Sequence, residues 1–185
     1  MEFRATLAPG SARPLPIYGH MMVSRPHPDD ARNPNGRLNL LLSSAGWQET
    51  PWVERVPAML TPMGVQSHIA DSAASAQRVI EANPIHIAVV DLALPLDERD
   101  PTGEESGTRV LNLLARLASP PPTVVIKRRR TSRDAVREMN AALRLGAFAV
   151  IDHPRAQRDI ETLLDVLKRC MCRHYKDRWP GASAS

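Results

Sequence analysis

The chain is poor in cysteine: its 185 residues include only Cys170 and Cys172, one residue apart near the C-terminus. A disulfide framework needs more cysteines, and better separated ones, so reduced thiols are expected. Aromatic residues make up only 4% of the chain, so any core must be mainly aliphatic. No apolar run approaches the roughly 20 residues of a membrane span. The opening MEFRATLAPGSARPLP has no apolar stretch of the signal-peptide kind. A cytoplasmic location is therefore expected. Charge of one sign is also missing. Against 20 Asp and Glu stand 24 Lys and Arg, a formal net charge of +4, which is mildly basic and short of a dedicated nucleic-acid binder. No G-x-S-x-G and no glycine-rich phosphate loop occurs, which argues against an enzyme.

Proline is abundant and unevenly placed. Pro9, Pro14, Pro16, Pro26, Pro28 and Pro34 break any periodicity in residues 1–36, which read as a mostly disordered or extended arm. Residues 37–175 read as one domain and 176–185 as a tail. Within the domain, short apolar runs at 37–44, 65–70, 86–91, 122–127 and 147–152 read as strands. Between and after them lie helical patterns at 50–60, 72–83, 108–118, 132–146 and 158–175. Thr50 and Ser132 are N-cap candidates, and Pro51 suits a first helical position. Pro57 is expected to kink or restart the first helix. The second helix is expected to turn Val79 and Ile80 inward, the third Val110, Leu113, Leu114 and Leu117, and the fourth Val136, Met139 and Leu143. Gly146 stands where a C-cap glycine belongs. The last helix carries Ile160, Leu163, Leu164, Leu167 and Met171 on one stripe.

Strands alternating with helices imply right-handed crossovers and a parallel sheet covered on both faces. The expected fold is α/β: a doubly wound five-stranded parallel sheet in the flavodoxin-like order 2-1-3-4-5. In that order the ligand crevice lies at the carboxyl ends of the first and third strands. The third strand, HIAVVD, is apolar on both faces and ends on a carboxylate, Asp91, at that crevice.

VVDLALP at the end of the third strand, PTVVIK as the fourth, and LRLGAFAVIDHP entering the fifth resemble the receiver domain of bacterial two-component response regulators. The likeness spans about residues 37–174. It implies that Asp91 matches an aspartate that accepts a phosphoryl group from a histidine kinase. It also implies a pair of acids holding Mg²⁺ at the end of the first strand, where this chain has Ser43 and Ser44. A Thr or Ser at the end of the fourth strand is replaced by Lys127. A Lys before a Pro at the end of the fifth is replaced by His153, with Pro154 retained, and an aromatic switch position is Val150. Serines offer Mg²⁺ only neutral oxygens, so metal affinity should fall, and with it the largest contribution to phosphoryl transfer. No cofactor and no metal site is expected. Lys127 would either stand in beside Asp91 for the missing Lys or form a permanent ion pair that fixes one signalling state; the second reading is preferred.

Other features have a functional and a plain reading. The acidic segment 94–107, with Asp97, Glu98, Asp100, Glu104 and Glu105, could supply a Mg²⁺ ligand or be a solvated loop. The basic run at 127–133, with Arg128, Arg129 and Arg130, could contact nucleic-acid phosphate or pair with that loop, and no aromatic platform accompanies it. The spacing in CMCRH (170–174) is too tight for the usual zinc pair. His153 could be a pH-sensitive group or simple drift from Lys. Trp47 and Trp52 fall outside the strands, and Trp179 could anchor a partner or fold back. These observations predict a stand-alone atypical receiver-like domain. It would act by protein contact, independently of phosphorylation at Asp91. Contact is expected through the face of the fourth helix, fifth strand and fifth helix, where Arg137, Arg144, Arg158 and Lys168 suit an acidic protein surface. A homodimer through that face, a histidine kinase acting on Asp91, and a nucleic-acid-associated regulator are the alternatives.

Overall fold

A computed structural model describes residues 37–45, 51–97, 106–127 and 132–175. Five strands alternate with five helices: β1 (Leu38–Ser43), α1 (Pro51–Leu60), β2 (Val65–Ala70), α2 (Ala73–Ala82), β3 (Ile87–Asp91), α3 (Gly107–Ala115), β4 (Thr123–Lys127), α4 (Ser132–Arg144), β5 (Ala149–Asp152) and α5 (Gln157–Tyr175). All pairings are parallel and the order is β2-β1-β3-β4-β5, as the sequence pattern predicts.

The central strands are buried on both faces because their side chains alternate between two helical layers. Leu40, Leu42, Val89, Val124 and Ile126 face Trp52, Val56 and Leu60 of α1 and Ile160, Leu163 and Leu167 of α5. Leu41, Ala88 and Val90 face Ala76 and Ile80 of α2 and Val110 and Leu114 of α3. A smaller cluster of Leu92, Leu111, Val125 and Ala142 lies under α4. The stripe on α5 is buried as expected, with Cys170 added to it.

Of the kink or restart expected at Pro57, the restart does not occur: α1 runs through it to Leu60, and the Thr61 hydroxyl donates to the Pro57 carbonyl just past the helix end. Two further expectations fail. Helix α3 stops at Ala115 and buries Leu111 as well as Val110 and Leu114, leaving Leu113 and Leu117 only partly covered. The largest correction concerns α4. Val136 is 53% exposed, Met139 37% and Leu143 48%, so the stripe expected to face inward faces solvent. The covered side of α4 is made by Ala142, with Leu145 beyond its end. Arg137 and Arg144 are exposed on the same helix, and Arg158 and Lys168 are exposed on α5.

The end of α4 is built as expected. Gly146 has φ +85°, its amide donates to Leu143 O (3.0 Å), and Ala147 N–H donates to Ala142 O (3.1 Å). This double bond pattern around a left-handed residue closes the helix and needs a glycine. No helix among the described residues is long and apolar enough to cross a membrane.

Candidate functional site at the carboxyl ends of the strands

Asp91 ends β3 and is 2% exposed. Its backbone is held on both sides. The Asp91 amide donates to Ser43 Oγ (3.0 Å), and the Ser43 hydroxyl donates to Val89 O (3.1 Å). Ser43 thus stitches β1 to β3 immediately beside the acid. Beyond Asp91 the chain turns, with Leu94 N–H donating to Asp91 O (3.2 Å), and α3 begins against that turn. Gly107, the first residue of α3, lies so close that a Cβ there would sit 2.3 Å from the Asp91 carbonyl oxygen and 2.5 Å from Leu92 Cα. That glycine was not singled out from the sequence.

Asp91 Oδ1 accepts from the Ala93 amide at 2.8 Å. Oδ2 is buried without a hydrogen bond. Three more buried polar atoms near the carboxyl ends of the strands have no partner among the described residues, Ser44 Oγ, Trp52 Nε1 and His153 Nε2. They come from the end of β1, the first turn of α1 and the residue after β5. His153 and Trp52 meet edge to face, with ring centroids 6.0 Å apart at 83°. Pro154 is buried behind His153.

Burial raises the Asp91 carboxyl above its ordinary value of 3.8; the Ala93 amide, the positive charge of His153 and the Ala45 amide oppose that shift. The folded chain therefore holds this proton more tightly than the unfolded chain. The contribution of this group to stability is greatest in acid, falls as pH rises from 3.8 through the raised folded value, and carries the full cost above it. Asp91→Asn removes that cost. The variant is expected to melt above the wild type at pH 7, and the gain should vanish below pH 3.8 in paired thermal melts. A lower melting temperature at pH 7 would mean that His153 and the Ala93 amide outweigh desolvation.

Lys127 does not pair with Asp91. Its Nζ lies 3.1 Å from Asp152 Oδ1, because parallel pairing of β4 with β5 sets Lys127 opposite Asp152. Asp152 is largely exposed, so the pair is weak. Among the basic side chains, His153 is the one that opposes the rise in the Asp91 pKa. Val150 is half-buried against the cluster under α4. Trp52, expected only to lie outside the strands, is completely buried. Its spacing with Val56 and Leu60, i, i+4, i+8, is the signal that places it inward. Asp97 is exposed. Glu98, Asp100, Glu104, Glu105, Arg128, Arg129, Arg130, Trp47, Trp179, both N-cap candidates' side chains and the arm 1–36 lie outside the described residues or side chains.

The C-terminal CMCRH segment splits as its spacing predicts. Cys170 is buried and Cys172 exposed. Burial pushes the Cys170 thiol up to about 12, far from the thiolate that metal binding or nucleophilic attack requires.

No protein-family model matches the sequence, and no curated protein matches it significantly. Solved structures do. A CheY-like response regulator receiver domain protein from Methanospirillum hungatei JF-1 superposes with a TM-score of 0.57 at 20% identity, covering 76% of this chain and 98% of that one. The non-phosphorylated HemR receiver domain from Leptospira biflexa gives 0.54 at 18%, over 73% and 94%. The receiver domain of NtrX from Brucella abortus gives 0.54 at 20%, over 71% and 97%. The fold of this chain is that of a response regulator receiver domain.

Proposed function

Starting from a receiver fold, we propose that this chain is a signalling or regulatory module that acts by protein contact and does not depend on phosphorylation of Asp91. The observation that carries the reading is the state of Ser43. Its hydroxyl is committed in both directions, donating to Val89 O and accepting from the Asp91 amide. A receiver of the usual kind would have a metal-binding acid at this strand end. Here the donor set does not fit Mg²⁺, which wants several hard oxygens in octahedral array. Asp91 supplies one carboxylate, Ser43 is occupied, and Ser44 offers a neutral oxygen. Lys127 is committed to Asp152. We assign the site no catalytic role.

The contact surface we assign is the outer face of α4 with β5 and α5. Val136, Met139 and Leu143 present an apolar stripe to solvent, flanked by Arg137 and Arg144. Exposed apolar surface rimmed by charge marks interaction sites. A partner with an apolar ridge and acidic flanks would suit it. A second reading, a working phosphoacceptor served by a histidine kinase, is favoured by one observation: Asp91 Oδ2 has no hydrogen-bond partner and keeps its lone pairs.

Affinity capture with three baits separates the readings. Wild type and Asp91→Asn are expected to retain the same partners, while Met139→Glu loses them. Loss with Asp91→Asn and retention with Met139→Glu would contradict the proposal.

A further inference from the structure

At the opposite end of the sheet from Asp91, the amino ends of β4 and β5 open into a cleft of about 510 Å³. We propose that this cleft binds a small amphipathic anion, a ligand with a flat apolar body and one carboxylate or sulfonate.

The volume lies within the roughly 300–1,000 Å³ of ordinary small-molecule sites. The lining is mainly apolar, with Leu111, Ala115, Pro121 and Phe148, and its only charged or titratable members among the described residues are Arg173 and His174 on α5. No acid among the described residues lines the cleft. The walls are pre-set. The turn after α4 is closed by the Gly146 and Ala147 amide bonds described above. The Phe148 amide donates to Thr123 O at 2.8 Å, and the Phe148 ring meets His174 edge to face at 5.7 Å and 72°. A rigid wall costs a ligand little ordering on binding.

A cation in the last turn of a helix also offsets its dipole, and Arg173 does so on α5. That role leaves the neighbouring apolar cavity unexplained. Burial and then the charge of Arg173 lower the pKa of His174, so at neutral pH its imidazole is a hydrogen-bonding group and Arg173 is the fixed charge. Arg173 makes no ion pair among the described residues. Its guanidinium is therefore available to an anion, with Phe148 as a face for a planar body. This assignment is independent of the reading given to Asp91.

The test is a fluorescence titration of the full chain with 8-anilinonaphthalene-1-sulfonate, followed by competition with 2-naphthoate and with the neutral 2-naphthalenemethanol. One saturable site is expected, displaced by the acid and poorly by the alcohol. Arg173→Ala should weaken it by roughly tenfold, the worth of one charge-assisted contact. Ala115→Trp, at an exposed position on the cleft, should fill it and abolish binding at an unchanged melting temperature. Absence of saturable binding would overturn the proposal. So would binding that survives Arg173→Ala unchanged, that the alcohol displaces as well as the acid, or that disappears with Met139→Glu on the α4 stripe. Because Arg173 is an exposed side chain, that variant keeps the test decisive even where Ala115→Trp folds poorly.

Discussion

Gly107→Ala is expected to destabilise the chain by about 3 kcal/mol, the upper end of what overpacking usually costs. The added methyl would meet Asp91 O at 2.3 Å, Leu92 Cα at 2.5 Å and Leu92 C at 2.9 Å. All three are backbone atoms, so no side chain can swing away to make room. Either α3 must lift from the sheet or the turn after Asp91 must move. The first exposes Val110, Leu111 and Leu114, which are buried. The second disturbs the Leu94 N–H to Asp91 O bond and the Ala93 amide on Oδ1. For a domain of this size, the loss corresponds to a fall in melting temperature of roughly 6–12 °C. Gly146→Ala makes the informative comparison. A Cβ there meets nothing within 4 Å, so its cost is that of a left-handed backbone alone, about 1–2 kcal/mol. Thermal melts that give equal losses for the two variants would show that α3 does not press on the Asp91 turn as described.

Trp52→Ala is expected to cost more, about 3–5 kcal/mol, as for other fully buried large side chains. Trp52 is 0% exposed and joins α1 to the core cluster shared with α5. Its ring also meets His153, the side chain that opposes the raised Asp91 pKa. Because total stabilities are often only about 5–15 kcal/mol, the variant stands near the edge of folding. Trp52→Phe keeps an aromatic ring against His153 and removes an indole N–H that has no hydrogen-bond partner. It should recover most of the loss. Urea unfolding of the two variants checks this, and a Phe variant no more stable than the Ala variant would contradict it.

The fold was legible because strand and helix signals alternate without interruption. Runs such as IAVVD and TVVIK are apolar on both faces, and only a doubly covered parallel sheet buries both faces. The position of Asp91 followed from that order. What was not legible depends on side and register. Periodicity groups Val136, Met139 and Leu143 on one face of α4, yet it carries no information on which face the sheet covers, and small Ala142 takes the covered side. Lys127 ends β4, but its partner is decided by the residue-by-residue pairing with β5, which sets it across from Asp152. Gly107 matters only because α3 touches the backbone after Asp91, a contact between residues separated by a long acidic segment. Ser43 is a similar case. The sequence presents it as a lost acid, while the fold uses its hydroxyl as a bridge between two strands.

The Asp91 carboxylate remains buried, raised in pKa and close to an imidazole. Such a group is costly to keep charged.

The most direct measurement is intact mass of the full chain after incubation with acetyl phosphate and Mg²⁺, read beside Asp91→Asn under acid quench. The account predicts the unmodified mass for both proteins, with the wild type folded by circular dichroism. A phosphoryl adduct on the wild type, absent from Asp91→Asn, would contradict it and make Asp91 a working acceptor.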